Sequence, residues 1–138
     1  EIDVSGCPDL LPPLAVMAAV RQGTVRFVHA ARLRLKESDR LQTTAAMLQA
    51  LGGTVEEGAD SLTVQGQPQL LGGTVDGAND HRIVMALVVA AIASGLPALL
   101  CGAEAVDKSW PAFWSVLRGL GAKVELNTDK QEEFDIKA

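Results

Sequence analysis

A charged run of seven residues separates a strand-like segment from a helix-like segment: Arg34-Leu35-Lys36-Glu37-Ser38-Asp39-Arg40. Residues 24–29 before it are rich in Val and Phe, and apolar residues at helical spacing fill residues 41–51 after it. At such a junction the backbone N–H groups and the dipole of the following helix favour an anion. Arg40 can bind a carboxylate or phosphate through two parallel hydrogen bonds, and Lys36 adds a compact positive charge. The run is a candidate anion site, although a charge run alone is more often a solvated loop.

Two further junctions repeat this combination of acidic and basic residues. Asp80-His81-Arg82 opens an apolar helical segment at residues 81–93, and Asp107-Lys108-Ser109 precedes another helical segment at residues 110–120. An isolated junction of this kind is weak evidence, but three of them in one chain favour a bound ligand over a solvated loop. We therefore expect the starts of several helices to lie together around a small anion.

The composition limits the class of protein. A chain of 138 residues with 48% hydrophobic residues can form a single domain with a real core, and its net charge of −5 argues against a nucleic-acid partner. The longest apolar run, residues 83–93, is too short to span a bilayer, so no membrane partner is expected. Cys7 and Cys101 have no metal-ligand spacing, so we predict reduced thiols, no metal site and a cytoplasmic location.

The order of predicted elements occurs twice. Strands and helices alternate as β-α-β-α-β-β up to residue 65, and the same order starts again at residue 73. Helix starts, lysines and closing glycines recur at a period of about 70 residues, which indicates an internal repeat. We predict an α/β (α+β) fold of two units, residues 1–67 and 68–128, followed by a charged tail at residues 129–138 that either pairs with residues 123–126 or frays. Because the helix at residues 83–93 is apolar all round, it should be buried on every side, with sheets outside and helices inside.

Four motifs together resemble the C-terminal domain of the 5-enolpyruvylshikimate-3-phosphate synthase family. They are the Pro8-Asp9 turn, the charged run continued to Leu41, Asn79-Asp80-His81-Arg82-Ile83-Val84-Met85-Ala86, and Lys108-Ser109-Trp110-Pro111. The resemblance extends from Ile2 to about Val124 in matching order and spacing. It implies two similar domains, each of three β-α-β-α-β-β units with buried parallel helices and outer sheets, and an active site between the domains. This chain then corresponds to part of the C-terminal domain, whose partner is the missing N-terminal domain of the same protein.

The resemblance also implies a reaction and a set of site residues. The family transfers the enolpyruvyl (carboxyvinyl) group of phosphoenolpyruvate to the 5-hydroxyl of shikimate 3-phosphate in the shikimate pathway, without a cofactor. By residue match, Arg40, Arg82 and Lys108 hold phosphoenolpyruvate and Lys36 contacts the shikimate ligand. Asp9 also belongs to the substrate-binding set. Asp9 and Glu37 match the proton-handling carboxylates, with Lys108 as a third participant. Arg32 departs from the polar amide that some members place at this position, which leaves that contact open.

Each assignment has a structural alternative that the sequence leaves open. Asp9 can cap the helix that follows it, and Glu37 can be an exposed acid at a helix start. Arg40 and Arg82 can be surface ion-pair partners, and Lys108 can pair with Asp107. His81 is more often a hydrogen-bonded structural histidine than a catalytic acid.

Two other functions compete with the first. The enolpyruvyl transferase of peptidoglycan synthesis shares the fold and the donor but lacks the Lys-Glu-Ser-Asp-Arg and Asn-Asp-His-Arg patterns. A non-catalytic α/β module that binds RNA or a phosphoprotein is disfavoured by the negative charge. For the transferase of the shikimate pathway, we expect the 138 residues alone to fold without catalysing the transfer, because only one wall of the site is present.

Overall fold

The computed structural model describes residues 1–127 and 133–137 and contains two four-stranded sheets. The first sheet has the order β1-β2-β4-β3. Its strands are β1 (Ile2–Asp3), β2 (Thr24–Val28), β3 (Thr54–Glu57) and β4 (Ser61–Gln65). The pair β1/β2 is parallel, whereas β4 is antiparallel to both β2 and β3.

The second sheet has the same plan, with the order β5-β6-β8-β7. Its strands are β5 (Thr74–Asp76), β6 (Ala98–Cys101), β7 (Lys123–Asn127) and β8 (Glu133–Lys137). Again the first two strands are parallel and the last strand is antiparallel to both of its neighbours. The predicted α/β class with a repeated β-α-β-α-β-β order is confirmed.

The predicted tail supplies a strand of this second sheet. Within residues 129–138, β8 pairs with β7 in the register Val124↔Ile136 and with β6 in the register Leu100↔Phe134. The predicted pairing with residues 123–126 is therefore present, and β8 also reaches β6, which the sequence did not indicate. Residues 128–132 and 138 of the tail region lie outside the described residues.

Four α-helices connect the strands: α1 (Leu11–Ala19), α2 (Arg40–Ala50), α3 (His81–Ser94) and α4 (Phe113–Gly119). Three short 3-10 helices precede α1, α2 and α4, at Pro8–Leu10, Ala31–Leu35 and Ala103–Lys108. Asp39 caps α2 and Asp80 caps α3, in each case by accepting a hydrogen bond from a backbone N–H of the first turn. Helix α3 ends at Gly95, whose φ of 66° suits a residue without a side chain.

Two helix predictions need correction. Helix α4 begins at Phe113 and not at Trp110, because a residue before proline is kept out of the helical region and Pro111 follows Trp110. Helix α3 is not buried on every side, since Val89 and Ile92 remain 46% and 44% exposed. Its other face contacts α1, α2 and the 3-10 helix Ala103–Lys108. The uniform hydrophobicity of α3 therefore predicted more burial than the helix has.

The core lies between the helices and the sheets. Fully buried side chains come from the strands, such as Phe27 and Leu62, and from the helices, such as Leu41, Leu48 and Leu87. Burying side chains of this size stabilises the fold by about 1.5–3 kcal/mol each. Helices α1, α2 and α3 contact one another, and hydrogen bonds from Arg40 to Asp80 and Asp9 show that the segments at their starts lie close together. Among the described residues, no helix has the length and apolar character needed to cross a membrane.

Candidate functional site

A buried ion pair joins the starts of α2 and α3. The guanidinium of Arg40, the first residue of α2, donates from Nε to Asp80 Oδ2 at 2.8 Å and from Nη2 to Asp80 Oδ1 at 3.1 Å. The Arg40 side chain is 1% exposed and that of Asp80 is 0% exposed. Two parallel, charge-assisted hydrogen bonds of this kind fix the plane as well as the position of the guanidinium. The pair therefore fixes the two helix starts relative to each other.

Asp80 is the most heavily bonded carboxylate of the site. Besides Arg40, its oxygens accept hydrogen bonds from Ser38 Oγ at 2.8 Å and from the backbone N–H of Arg82 at 3.0 Å. Burial by itself raises the pKa of Asp80, but the bonds from Arg40, Ser38 and the Arg82 N–H outweigh it and lower the pKa below the usual value. Asp80 is thus ionised at neutral pH and balances the buried charge of Arg40.

The outer side of the Arg40 guanidinium meets two more carboxylates. Its Nη1 donates to Asp9 Oδ1 at 2.8 Å, and its Nη2 donates to Glu37 Oε2 at 2.5 Å. Asp9 also pairs with Lys36 at 3.1 Å and with Arg82 at 3.5 Å. Burial raises the pKa of Asp9, but Lys36, Arg82 and Arg40 together lower it below the usual value. Asp9 and Glu37 are 38% and 44% exposed, so this side of the arrangement opens to solvent.

These contacts define one ion cluster of three acidic and three basic side chains. Its members are Asp9, Lys36, Glu37, Arg40, Asp80 and Arg82. The formal charges cancel, so every cation of the cluster already has a carboxylate partner. An anionic ligand must take the place of the exposed carboxylates to bind Arg40, whereas Arg82 is 40% exposed and can also bind the ligand directly. Chemically, the cluster can neutralise a carboxylate or phosphate and offers carboxylates that accept protons.

Lys108 lies beside the cluster and is bound to the turn that precedes α3. Its Nζ donates to the backbone O of Asn79 at 2.7 Å and to Asn79 Oδ1 at 2.5 Å. Asn79 and Ala78 both have positive φ, of 53° and 51°, a conformation that is unfavourable for a residue with a side chain. Lys108 therefore holds the strained turn next to Asp80. In the part of the chain that the structure describes, it forms no ion pair with Asp107 or with the ion cluster.

The structure decides several of the structural alternatives. Asp9 caps neither the 3-10 helix Pro8–Leu10 nor α1, so its carboxylate serves the cluster. Arg40 is buried and is not a surface ion-pair partner, whereas Arg82 is 40% exposed. The buried Nδ1 of His81 has no hydrogen-bond partner among the described residues, so a hydrogen-bonded histidine is wrong for this nitrogen. Arg32 is exposed.

The sequence analysis missed the importance of Asp80, Ser38 and Arg34. Asp80 was placed only at the start of a helix and within a motif, yet it is the buried partner of Arg40. A signal was available: an acid opening a strongly apolar helix is drawn into the interior, where it needs a positive partner. Arg34 forms four hydrogen bonds beside the site, and no feature of the sequence distinguished it from the other cations of the charged run.

A small groove adjoins the ion cluster. It has a volume of about 150 Å³ and is lined by Asp9 and Arg82 together with apolar side chains that include Leu10, Met85 and Val89. A larger concavity of about 700 Å³ lies over the first sheet, and none of the predicted site residues lines it. The chemistry therefore favours the smaller groove. Among the described residues, no group of His, Cys, Asp and Glu is arranged to hold a metal ion.

Comparisons with known proteins match the sequence of this chain to a family. Residues 1–117 match the model of the family EPSP synthase (3-phosphoshikimate 1-carboxyvinyltransferase). The chain is 50% identical over 123 residues to the 3-phosphoshikimate 1-carboxyvinyltransferase of Clostridium acetobutylicum, covering 89% of this chain and 29% of that protein. It thus spans less than a third of the length of the curated relatives that it matches.

Solved structures give the same result. The EPSP synthase of Acinetobacter baumannii superposes with a TM-score of 0.77 at 30% identity, over 84% of this chain and 28% of that protein. The enolpyruvyl transferase NikO of Streptomyces tendae has a TM-score of 0.56 at 15% identity, over 94% of this chain and 29% of that protein, and supports the fold alone. The family match over most of the chain and the identity to the relatives agree with the motifs at the helix starts. The chain belongs to the EPSP synthase family.

Proposed function

We propose that the ion cluster is part of the active site of a 3-phosphoshikimate 1-carboxyvinyltransferase. The enzyme would transfer the carboxyvinyl group of phosphoenolpyruvate to the 5-hydroxyl of shikimate 3-phosphate and release phosphate. The observation that carries the proposal is the buried Arg40–Asp80 pair, around which Lys36, Arg82 and Asp9 gather at the helix starts. The same residues form the motifs that resemble the family, and the relatives with that activity are up to 50% identical to this chain.

The reaction requires charge neutralisation and two proton transfers. The 5-hydroxyl loses its proton as its oxygen attacks C2 of phosphoenolpyruvate, and C3 of the double bond gains a proton. In the second half, C3 loses a proton and the C–O bond to phosphate breaks. The carboxylate and phosphate of phosphoenolpyruvate stay charged throughout, so cations with fixed positions are needed.

Arg40, Arg82 and Lys108 are the proposed ligands of phosphoenolpyruvate. Asp80 holds the inner edge of the Arg40 guanidinium, so only Nη1 and Nη2 are free to exchange Asp9 and Glu37 for a ligand oxygen. Arg82 is 40% exposed and needs no rearrangement to meet an anion. The exposed Lys108 ammonium uses two of its three N–H donors on Asn79, which leaves one donor for the ligand.

Asp9 and Lys36 are the proposed contacts to shikimate 3-phosphate. The lowered pKa of Asp9 keeps its carboxylate ionised, which suits it to accept a hydrogen bond from the 5-hydroxyl and so to orient that group. Glu37 stands on the other side of the Arg40 guanidinium, and with Lys108 it completes the proposed set of proton-handling groups. The enolpyruvyl transfer of peptidoglycan synthesis and a non-catalytic binding module are not favoured by the relatives, which carry the name of the shikimate-pathway enzyme.

The activity belongs to the whole enzyme and not to these 138 residues. The chain corresponds to 29% of the relatives' length, and the exposed face of the cluster requires a second wall to exclude water. We further propose that residues 1–67 and 68–128 are two repeat units of the C-terminal domain, and that β8 of the tail completes the second unit. We also propose a cytoplasmic location, because two cysteines without metal-ligand spacing are typical of reduced thiols.

A chimera tests the proposal. The matching segment of the Clostridium acetobutylicum relative is replaced by this chain, and phosphate release from phosphoenolpyruvate plus shikimate 3-phosphate is measured. We expect turnover, and we expect Glu37→Gln to lower kcat by about 10²–10⁴-fold because a proton-handling carboxylate is lost. Glu56→Gln is the matched control, since Glu56 is an exposed acid outside the cluster and should leave the rate unchanged. A folded chimera without phosphate release would contradict the proposed function.

A further inference from the structure

We infer that Arg34 is a positioning residue: it clamps Asp39, the cap of α2, to the β3–β4 turn and thereby sets the place of the Arg40 guanidinium. The inference rests on the proposed function, because the displacement of Arg40 is to be measured through the binding of phosphoenolpyruvate. Within the described residues, Arg34 has no hydrogen bond or ion pair to any member of the ion cluster. Its effect on the cluster is therefore indirect.

Arg34 uses all three of its nitrogens to bridge two parts of the chain. Its Nη1 donates to Asp39 Oδ2 and to Glu57 Oε1, both at 2.8 Å. Its Nε donates to the backbone O of Ala59 at 3.0 Å, and its Nη2 donates to the backbone O of Gly58 at 2.7 Å. Three of the four bonds go to the end of β3 and the turn after it. A rigid guanidinium with this many acceptors has one position and one orientation.

The fourth bond reaches the start of α2. Asp39 uses Oδ2 for Arg34 and Oδ1 for the backbone N–H of Gln42 at 3.1 Å. Its backbone O accepts from the N–H of Thr43 at 2.8 Å. One carboxylate thus joins the first turn of α2 to the Arg34 clamp, and Arg40 is the next residue in the chain. A shift of this turn moves the guanidinium against Asp80, Asp9 and Glu37.

The loop that carries Lys36 and Glu37 is fixed at both ends by the same turn. At its beginning, the backbone N–H of Ala31 donates to Asp60 Oδ1, and the N–H of Ala30 donates to the Asp60 backbone O at 3.2 Å. At its end, Arg34 holds Asp39. The β3–β4 turn is itself closed by a bond from Gly58 N–H to the Ser61 O at 2.8 Å. A hairpin outside the ion cluster therefore serves as the support of the charged loop.

The bonds of Arg34 should matter more for the position of the Arg40 guanidinium than for the free energy of unfolding. The side chains of Arg34, Asp39 and Glu57 are 29–31% exposed, and ion pairs at such sites add little to the free energy of unfolding. In contrast, a displacement of about 1 Å in a binding group costs up to about 10²-fold in rate. Loss of Arg34 should therefore weaken the binding of phosphoenolpyruvate while the protein stays folded.

Kinetics of the chimera described above test this. For Arg34→Ala we expect the KM for phosphoenolpyruvate to rise by about tenfold, with a similar rise for Asp39→Asn. The double variant should show no further rise, because both changes break one connection. Arg34→Lys should behave like Arg34→Ala, since it retains the charge but not the fork. A purely structural role would reduce the folded fraction and so lower kcat without changing KM, and that result would overturn the inference.

Glu57→Gln is the matched control. It removes the charge of the other Arg34 carboxylate partner but leaves the bond to Asp39, so KM should stay within about twofold of the parent value. An equal rise in KM for Glu57→Gln would show that Arg34 does not act through Asp39. Turnover by the parent chimera with an unchanged KM in Arg34→Ala would refute the inference and leave the proposed function intact.

A measurement that does not depend on catalysis tests the role of Arg34 separately from the proposed function. In the 138-residue chain, amide hydrogen exchange of Gln42 and Thr43 and the NMR signal of Arg40 Nε–H report on the first turn of α2. Arg34→Ala should accelerate exchange at both amides and shift the Arg40 signal, whereas Glu57→Gln should change neither. Unaltered exchange and an unaltered Arg40 signal in Arg34→Ala would overturn the inference even if the chimera were inactive.

Discussion

Replacing Asp80 with Asn should greatly destabilise the protein without changing its shape. Asn can still accept the bond from the Arg82 N–H, so the cap of α3 is retained. The negative charge is lost, however, and the Arg40 guanidinium then stays 1% exposed without its fully buried partner. Breaking a buried ion pair from one side costs about 3–5 kcal/mol. Since Asp9 and Glu37 still contact Arg40, we expect about 3 kcal/mol, a large part of the 5–15 kcal/mol typical of a domain.

Urea denaturation of the 138-residue chain measures this loss. With a slope of about 2 kcal/mol per molar urea, the midpoint should fall by about 1.5 M in Asp80→Asn. Asp39→Asn is the matched control, because Asp39 caps α2 in the same way but is partly exposed, and it should cost less than about 1 kcal/mol. Adding Arg40→Met to Asp80→Asn should restore stability by removing the unpaired charge. Equal losses in the two Asn variants, or no recovery in the double variant, would refute the buried-charge argument.

Three further predictions concern pH, substrate binding and the isolated chain. The pKa values of Asp80 and Asp9 are lower in the folded state than in the unfolded state. Both carboxylates therefore contribute fully to the free energy of unfolding when the pH is above about 3.9, the pKa of an unfolded Asp, and this contribution is lost as the pH falls through the pKa values of the folded state. Acid denaturation followed by circular dichroism should accordingly begin near pH 4 and be less steep in Asp80→Asn, whereas a loss of stability between pH 7 and 5 would contradict this. Arg82→Lys in the chimera should raise the KM for phosphoenolpyruvate more than the KM for shikimate 3-phosphate, because the positive charge is kept but the paired hydrogen bonds of the guanidinium are lost. An equal rise in both KM values would show that Arg82 has only a structural role. The 138 residues alone should release no phosphate from the two substrates, and activity that Glu37→Gln abolishes would show that a second wall is unnecessary.

The sequence predicted the elements of the fold better than the contacts between them. The starts of α2 and α3 could be predicted because in each a charged junction is followed by apolar residues at helical spacing, and both signals are local. The beginning of α4 was misplaced because the aromatic spacing at Trp110 outweighed the effect of Pro111. The interior position of β8 depends on pairing with β6, and pairing between distant strands leaves no mark on local periodicity.

The same limit applies to the candidate site. Arg40 and Arg82 could be predicted as site residues because they lie in charged junctions at helix starts, where an anion is favoured, and this argument is local. The contact between Arg40 and Asp80 joins residues 40 positions apart. It depends on how α2 and α3 pack against each other, which local sequence patterns do not specify. Lys108 was predicted near an anion, but its bonds to the strained turn at Asn79 depend on backbone angles that the residue type alone does not specify.

The strand order has a consequence for folding during synthesis. In each sheet the strand that comes last in the chain is an interior strand: β4 lies between β2 and β3, and β8 lies between β6 and β7. Until β4 leaves the ribosome, β3 has no partner in its sheet, and β7 waits for β8 in the same way. The last strand of the first sheet is synthesised about 70 residues before the last strand of the second sheet. A nascent chain that has β7 but not yet β8 therefore carries one complete sheet, while the edges of β6 and β7 that will pair with β8 are exposed. Such edges are the surfaces on which unfinished chains pair with each other, so aggregation of nascent chains should depend on how quickly residues 133–137 are added.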